Sequence, residues 1–197
     1  MIIQMNDDFD LRIMFEGNNN IYDNYINKTI NRNKYVRRFS WAIPSMGALE
    51  IISKYSPILE IGSGTGYWAF LLKAYFNCDI KCYDKRSEFK KWFCKKTDKK
   101  TVENFCHVPP IFENNMEKII KENKDRTLFL CWPVENADCV KYYKGKHIIY
   151  IGESEWGCTG SEKFFNIINK KYKSIIEYNM IQWPGLHDYL YVYERLQ

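Results

Sequence analysis

From residue 45 onward the chain alternates between two hydrophobic rhythms. Short apolar runs of strand length occur at Ile58-Leu-Glu-Ile61, Asp79-Ile-Lys-Cys-Tyr83, Asn104-Phe-Cys-His-Val108, Thr127-Leu-Phe-Leu-Cys131 and His147-Ile-Ile-Tyr-Ile151. Between them the spacing is helical: from Ser45, behind Pro44, through Ile52, from Gly66 through Tyr75, across the lysine-rich stretch 85–100, around 115–122, and over 137–143 and 161–170. Strands alternating with helices predict right-handed crossovers and a parallel sheet covered on both faces. The last part breaks the rhythm. Ser174–Ile181 and Tyr189–Tyr193 read as strands separated only by Gln182-Trp-Pro-Gly-Leu-His-Asp188, so they should pair antiparallel and bring the sheet to seven strands. Upstream, residues 1–40 are rich in Asn, with Ile21, Tyr25, Ile26 and Ile30 at the spacing of one amphipathic helix; they read as an appendage to a domain spanning 41–197.

Composition narrows the class. At 197 residues with 46% apolar and 27% charged side chains, one ordinary domain is expected. A chain of this size hides roughly 70% of its unfolded surface and needs no metal or disulfide to hold its core. No apolar run is long enough to span a membrane, and the acidic start Met1–Asp10 is unlike a secretory signal. Seven cysteines, an odd number, several of them inside strand-like runs, predict free thiols in a reducing, cytoplasmic setting. Cys78 and Cys82 form the only close pair, and no second pair or nearby histidine completes a zinc site, so no metal is expected.

The net charge of +5 comes from 29 basic and 24 acidic residues, with the excess gathered in 85–100. Phe89, Trp92 and Phe93 interleave the lysines at helical spacing, which predicts an aromatic face turned to the core and a solvated basic face. Contact with nucleic-acid phosphates is the second reading of that cluster.

The candidate chemistry centres on Glu60-Ile-Gly-Ser-Gly-Thr-Gly66, which joins a strand to a helix where free amides and the positive end of the helix dipole collect. A dinucleotide fingerprint places its third glycine three positions after the second; here that position is Tyr67. The spacing argues against a nicotinamide oxidoreductase and fits an adenosyl ligand without a pyrophosphate. A carboxylate at Glu60 would repel a diphosphate and attract an α-ammonium. Asp84, closing the next strand, is placed to accept hydrogen bonds from ribose hydroxyls.

With these residues in view, the sequence from about 41 onward resembles the class I S-adenosylmethionine-dependent methyltransferases. It is also similar to a largely uncharacterised group that shares Trp41-Ala-Ile-Pro44, Leu128-Phe-Leu-Cys-Trp-Pro133, Ile151-Gly-Glu153, Gly157-Cys-Thr159 and Trp183-Pro-Gly-Leu-His-Asp188. The resemblance implies an α/β, Rossmann-like fold with a seven-stranded mixed sheet, an antiparallel last strand and helices on both faces. It implies S-adenosyl-L-methionine as cofactor, held by Trp41, Glu60, Gly62, Ser63, Gly64, Thr65, Gly66, Tyr67, Trp68, Asp84 and Cys131.

The fourth-strand edge Cys131-Trp-Pro-Val134 stands where amino-group methyltransferases carry Asp/Asn-Pro-Pro-aromatic, and it departs twice. Cysteine is a poor acceptor for an amino group, and Val134 has no ring to stack on a base, which counts against base N-methylation. Trp132, Pro133, Trp156 and Trp183 are the candidate substrate walls; Glu153 and His187 are the candidates for orienting or deprotonating the acceptor. A small-molecule acceptor is expected ahead of RNA or protein, and an inactive cofactor-binding scaffold is the alternative to an enzyme.

Overall fold

The structure is a computed structural model, described for residues 32–134, 136–155 and 157–196. The expected helix near residues 21–30 and the candidate wall Trp156 lie outside the described residues.

Residues 32–38 are helical. The domain then runs α1 (Met46–Ser53), β1 (Ile58–Ile61), α2 (Tyr67–Phe76), β2 (Ile80–Asp84), α3 (Arg86–Trp92), α4 (Lys99–Phe105), β3 (Ile111–Phe112), α5 (Met116–Glu122) and β4 (Thr127–Cys131). A 3-10 helix (Ala137–Tyr142), β5 (His147–Gly152), α6 (Glu162–Lys171), β6 (Tyr172–Asn179) and β7 (Tyr189–Arg195) complete it. Side-chain caps open the helices where the sequence offers an oxygen: Ser45 accepts from the Ala48 amide, Asn115 from Lys118 and Ser161 from Phe164.

The strands form one sheet in the order β3-β2-β1-β4-β5-β7-β6. β3, β2, β1, β4 and β5 are parallel, β7 runs antiparallel to β5, and β6 antiparallel to β7. Period-two alternation sends neighbouring strand residues to opposite cores. Ile58, Phe129, Ile149 and Val192 pack with Leu49, Ile52, Trp68 and Leu72 of α1 and α2, while Leu59, Leu128, Ile148 and Tyr191 pack with Ile120, Val140, Phe164 and Ile168 on the other face. Strand order reverses between β1 and β4, and a crevice opens beyond their carboxyl ends, the usual ligand position in such sheets.

The lysine-rich region differs from expectation. One helix over 85–100 becomes two, because Asp98 accepts a hydrogen bond from the Thr101 amide and starts α4 afresh. The expected strand at 104–108 does not form: its first residues complete α4, Val102 buries that helix against the domain, and Pro109-Pro110 delay the strand to Ile111. Of the three aromatics expected in the core only Phe89 is fully buried, whereas Trp92 is 36% exposed. The helix expected over 137–143 takes 3-10 geometry.

The described end of the upstream segment is docked on the domain. Val36 is buried, the Thr65 hydroxyl donates to the Phe39 carbonyl, and Arg38 donates to the Phe105 carbonyl at 2.9 Å.

Candidate functional site

The glycine loop at the end of β1 holds Gly62, Gly64 and Gly66 at φ of 77°, 54° and 69°. The chain itself crowds it. A side-chain carbon at Gly66 would stand 2.1 Å from the Val108 carbonyl oxygen, and one at Gly64 2.5 Å from the Phe93 ring. At both positions the positive φ and the close approach together require glycine. The Gly62 and Ser63 amides donate to the Tyr83 carbonyl at 2.8 and 3.2 Å, and the Gly64 amide donates to Asp84 Oδ2 at 2.8 Å. Loop and acid are therefore one rigid unit.

Asp84 is 2% exposed, and burial pushes its carboxyl up to about 6 against the pull of the Gly64 and Lys85 amides. At neutral pH it remains mostly ionised, an acceptor at the cavity wall. Glu60 behaves differently. It is buried beneath the loop, with the Cys82 thiol donating to Oε2 at 3.5 Å, and burial pushes its carboxyl up to about 8. At pH 7 it is largely neutral, and it does not line the cavity.

A cavity of about 240 Å³ opens in front of this unit, walled by Trp41, Gly62, Asp84, Phe93, Cys131 and Trp132. Sites for drug-sized ligands commonly measure about 300–1,000 Å³. A second, separate hollow of about 380 Å³ is lined by Lys85, Asn114, Asn115 and Tyr142 and has Asn136 in common with the first. The Asn136 amide nitrogen lies 2.9 Å from where a side-chain carbon on Gly62 would stand. Asn136 Oδ1 and Ser63 Oγ are buried without a hydrogen-bond partner. Unpaired acceptors and donors at a glycine loop are polar capacity available to a ligand.

The structure thus brings Trp41, Gly62, Asp84, Cys131 and Trp132 to one cavity. Thr65 is stitched to its neighbours instead, its carbonyl accepting from the His107 and Val108 amides. Tyr67 and Trp68 belong to the core beneath α2, Tyr67 meeting the Phe39 ring edge-on at 5.0 Å and Trp68 meeting Phe129 at 5.9 Å. The Cys131 thiol is held well above its usual range by burial and so stays neutral.

Trp132 follows β4 with φ of 51°, unusual for a residue with a side chain, and is fixed there by its amide donating to the Ile151 carbonyl at 2.9 Å. Its indole Nε1 donates to Asp188 Oδ1 at 2.9 Å, and the Trp183 indole donates to the Trp41 carbonyl at 3.0 Å. Pro133 is buried.

Glu153 and His187 come together, though through the backbone. Glu153 Oε2 accepts from the Cys158 amide at 2.8 Å and Oε1 from the His187 amide at 3.3 Å. Those amides hold the Glu153 carboxyl below its usual range, and the His187 side chain is exposed. Sequence reasoning passed over Asp188 in favour of its neighbour, and passed over Phe93 and Asn136 as site residues. Asp188 carried a signal, since it ends the same Trp-Pro-Gly-Leu-His-Asp run; Asn136 carried none.

No family model matches the chain, and no curated protein sequence is significantly similar to it. Solved structures are similar in fold. The O-methyltransferase from Bacillus cereus in complex with SAH superposes with a TM-score of 0.52 at 11% identity, over 86% of this chain and 90% of that one. MtNAS in complex with MTA and tNA gives 0.51 at 8% identity, over 94% and 68%. The chain has a Rossmann-like methyltransferase fold. Among the described residues no helix is long and apolar enough to cross a membrane.

Proposed function

We propose that this chain is an S-adenosylmethionine-dependent methyltransferase. The observation that carries the reading is the rigid pairing of the glycine loop with Asp84, through the Gly64 amide, at the wall of a cavity beyond the β1 and β4 edges. The residues present fit the cofactor. Asp84 offers a carboxylate for a ribose diol, Asn136 and Ser63 offer unpaired polar atoms, and Trp41 offers a flat wall. A bound sulfonium supplies an activated methyl group.

The protein's own contribution is alignment and exclusion of water, which for an in-line displacement provides much of the rate. Trp41 and Trp132 cover the cavity, and Cys131 contributes a neutral thiol without competing charge. Glu153 or His187 is the proposed proton acceptor for an acceptor group protonated at neutral pH, a role open to them because β5 and the loop before β7 end on this side of the sheet. A small molecule is the proposed acceptor: the cavity is narrow and aromatic, and the lysines of α3 and α4 have solvated faces. The cytoplasm is the proposed location, in keeping with seven unpaired cysteines.

Thermal unfolding tests the reading. S-adenosylhomocysteine should raise the melting temperature of the wild-type chain, and Asp84→Ala or Gly64→Arg should remove most of that rise. An equal rise in Asp84→Ala would place the ligand elsewhere.

A further inference from the structure

The tryptophan wall of the cavity holds a charge that cofactor binding does not use. Trp41 and Trp132 stack with ring centroids 5.3 Å apart and 27° between their planes. The Arg32 guanidinium carbon lies 5.1 Å from the Trp132 ring, 5.3 Å from Trp41 and 6.0 Å from Trp183. Three rings within about 6 Å of one cation make an aromatic cage. Asp188 supplies the matching charge: it is 0% exposed, and Trp132 occupies its Oδ1.

The fit of Arg32 in this cage is incomplete. Asp188 Oδ2 is buried with no hydrogen-bond partner, and so are Nε and Nη2 of Arg32. A guanidinium placed for stability beside a carboxylate normally meets it as a two-pronged fork, satisfying both. Here a cation and an anion share one desolvated site while each leaves hydrogen-bonding capacity unused, an arrangement that costs stability. The positive φ of Trp132 adds strain in holding that indole in place. Trp41 and Trp132 are also walls of the main cavity, so the cage opens toward the place proposed for methyl transfer.

We propose that Trp41, Trp132, Trp183 and Asp188 form a binding site for an organic cation, the guanidinium or alkylammonium group of the methyl acceptor, and that Arg32 is an internal occupant which this group replaces. Calling the cation the acceptor rests on the methyltransferase reading; the cage itself does not. The charged group anchors the acceptor and leaves another atom of it facing the cavity.

The test is a tryptophan-fluorescence titration of the full chain with n-butylguanidinium, tetramethylammonium and uncharged n-butylurea, a close match in shape to the first. Arg32→Ala should bind n-butylguanidinium at least tenfold more tightly than wild type and show no binding of n-butylurea. Adding Asp188→Asn should weaken the cation at least tenfold. Tighter binding of tetramethylammonium than of n-butylguanidinium would identify the alkylammonium source. Should Arg32→Ala fail to fold, Arg32→Gln keeps the stem and must discriminate in the same way. Equal response to charged and uncharged probes in a folded variant would overturn the proposal and leave Arg32 as a packing contact of the 32–38 helix. Calorimetry with S-adenosylmethionine on the same variants separates the two claims: cation binding without cofactor binding would keep the cage and reject the methyltransferase, and the converse would reject the cage alone.

Discussion

Gly66 shows how local geometry at the site is set by single atoms. Its φ of 69° and the Val108 carbonyl 2.1 Å from a would-be side-chain carbon leave no room that a flexible neighbour could yield. Gly66→Ala should therefore cost about 2 kcal/mol or more in urea unfolding, even though alanine favours helices. Glu60 gives a second prediction at this scale. Its carboxyl stands near 8 in the folded chain because it is buried, with Asp84 raising it and Cys82 and Lys73 opposing. The folded state then holds a proton that the unfolded chain releases, so stability falls as pH rises from the ordinary carboxylate range through 8. His107 and His147, both lowered by burial, act in the opposite sense near and below pH 6.5. Between pH 6.5 and 8 the melting temperature of the wild-type chain should decline, and Glu60→Gln should flatten that slope; an unchanged slope would mean that Glu60 is not the group responsible. The glycine loop and Asp84 were legible because their spacing is a local property of the sequence. The neutrality of Glu60 was not, since it follows from burial beneath the sheet and loop packed around it.

At the scale of elements, Glu153 ties the end of β5 to two loops through the amides of Cys158 and His187. Glu153→Ala should lose about 1–3 kcal/mol by freeing those amides. Glu153→Gln separates structure from chemistry: an unchanged melting temperature with a large fall in kcat would assign a proton-transfer role, and parallel losses would assign a structural one. The elements themselves were readable wherever periodicity and punctuation agreed, as in α1 behind Ser45 and α6 behind Ser161, each opened by its side-chain cap. They misled at 104–108, where a short apolar run suits helix and strand alike and only the Asp98 cap and the two prolines decide. Trp92, expected in the core, instead closes α3 with its ring at the cavity and 5.2 Å from Trp41.

For the whole molecule, strand alternation and the terminal antiparallel pair were sufficient to anticipate the sheet, and the sheet places its crevice at the β1–β4 switch point. Contacts of long sequence separation could not be anticipated. Arg32, Trp41, Trp132, Trp183 and Asp188 meet across more than 140 positions, as in the 142-residue separation bridged by the Trp183 indole and the Trp41 carbonyl. The glycine loop and Asp84 at the wall of that crevice are proposed to bind an adenosyl sulfonium and not a dinucleotide. Titration calorimetry of the wild-type chain with S-adenosylmethionine, S-adenosylhomocysteine and NAD tests it most directly. Micromolar binding of the first two is expected, weakened at least tenfold in Asp84→Ala, with no heat from NAD; binding of NAD without S-adenosylmethionine would overturn the proposed cofactor.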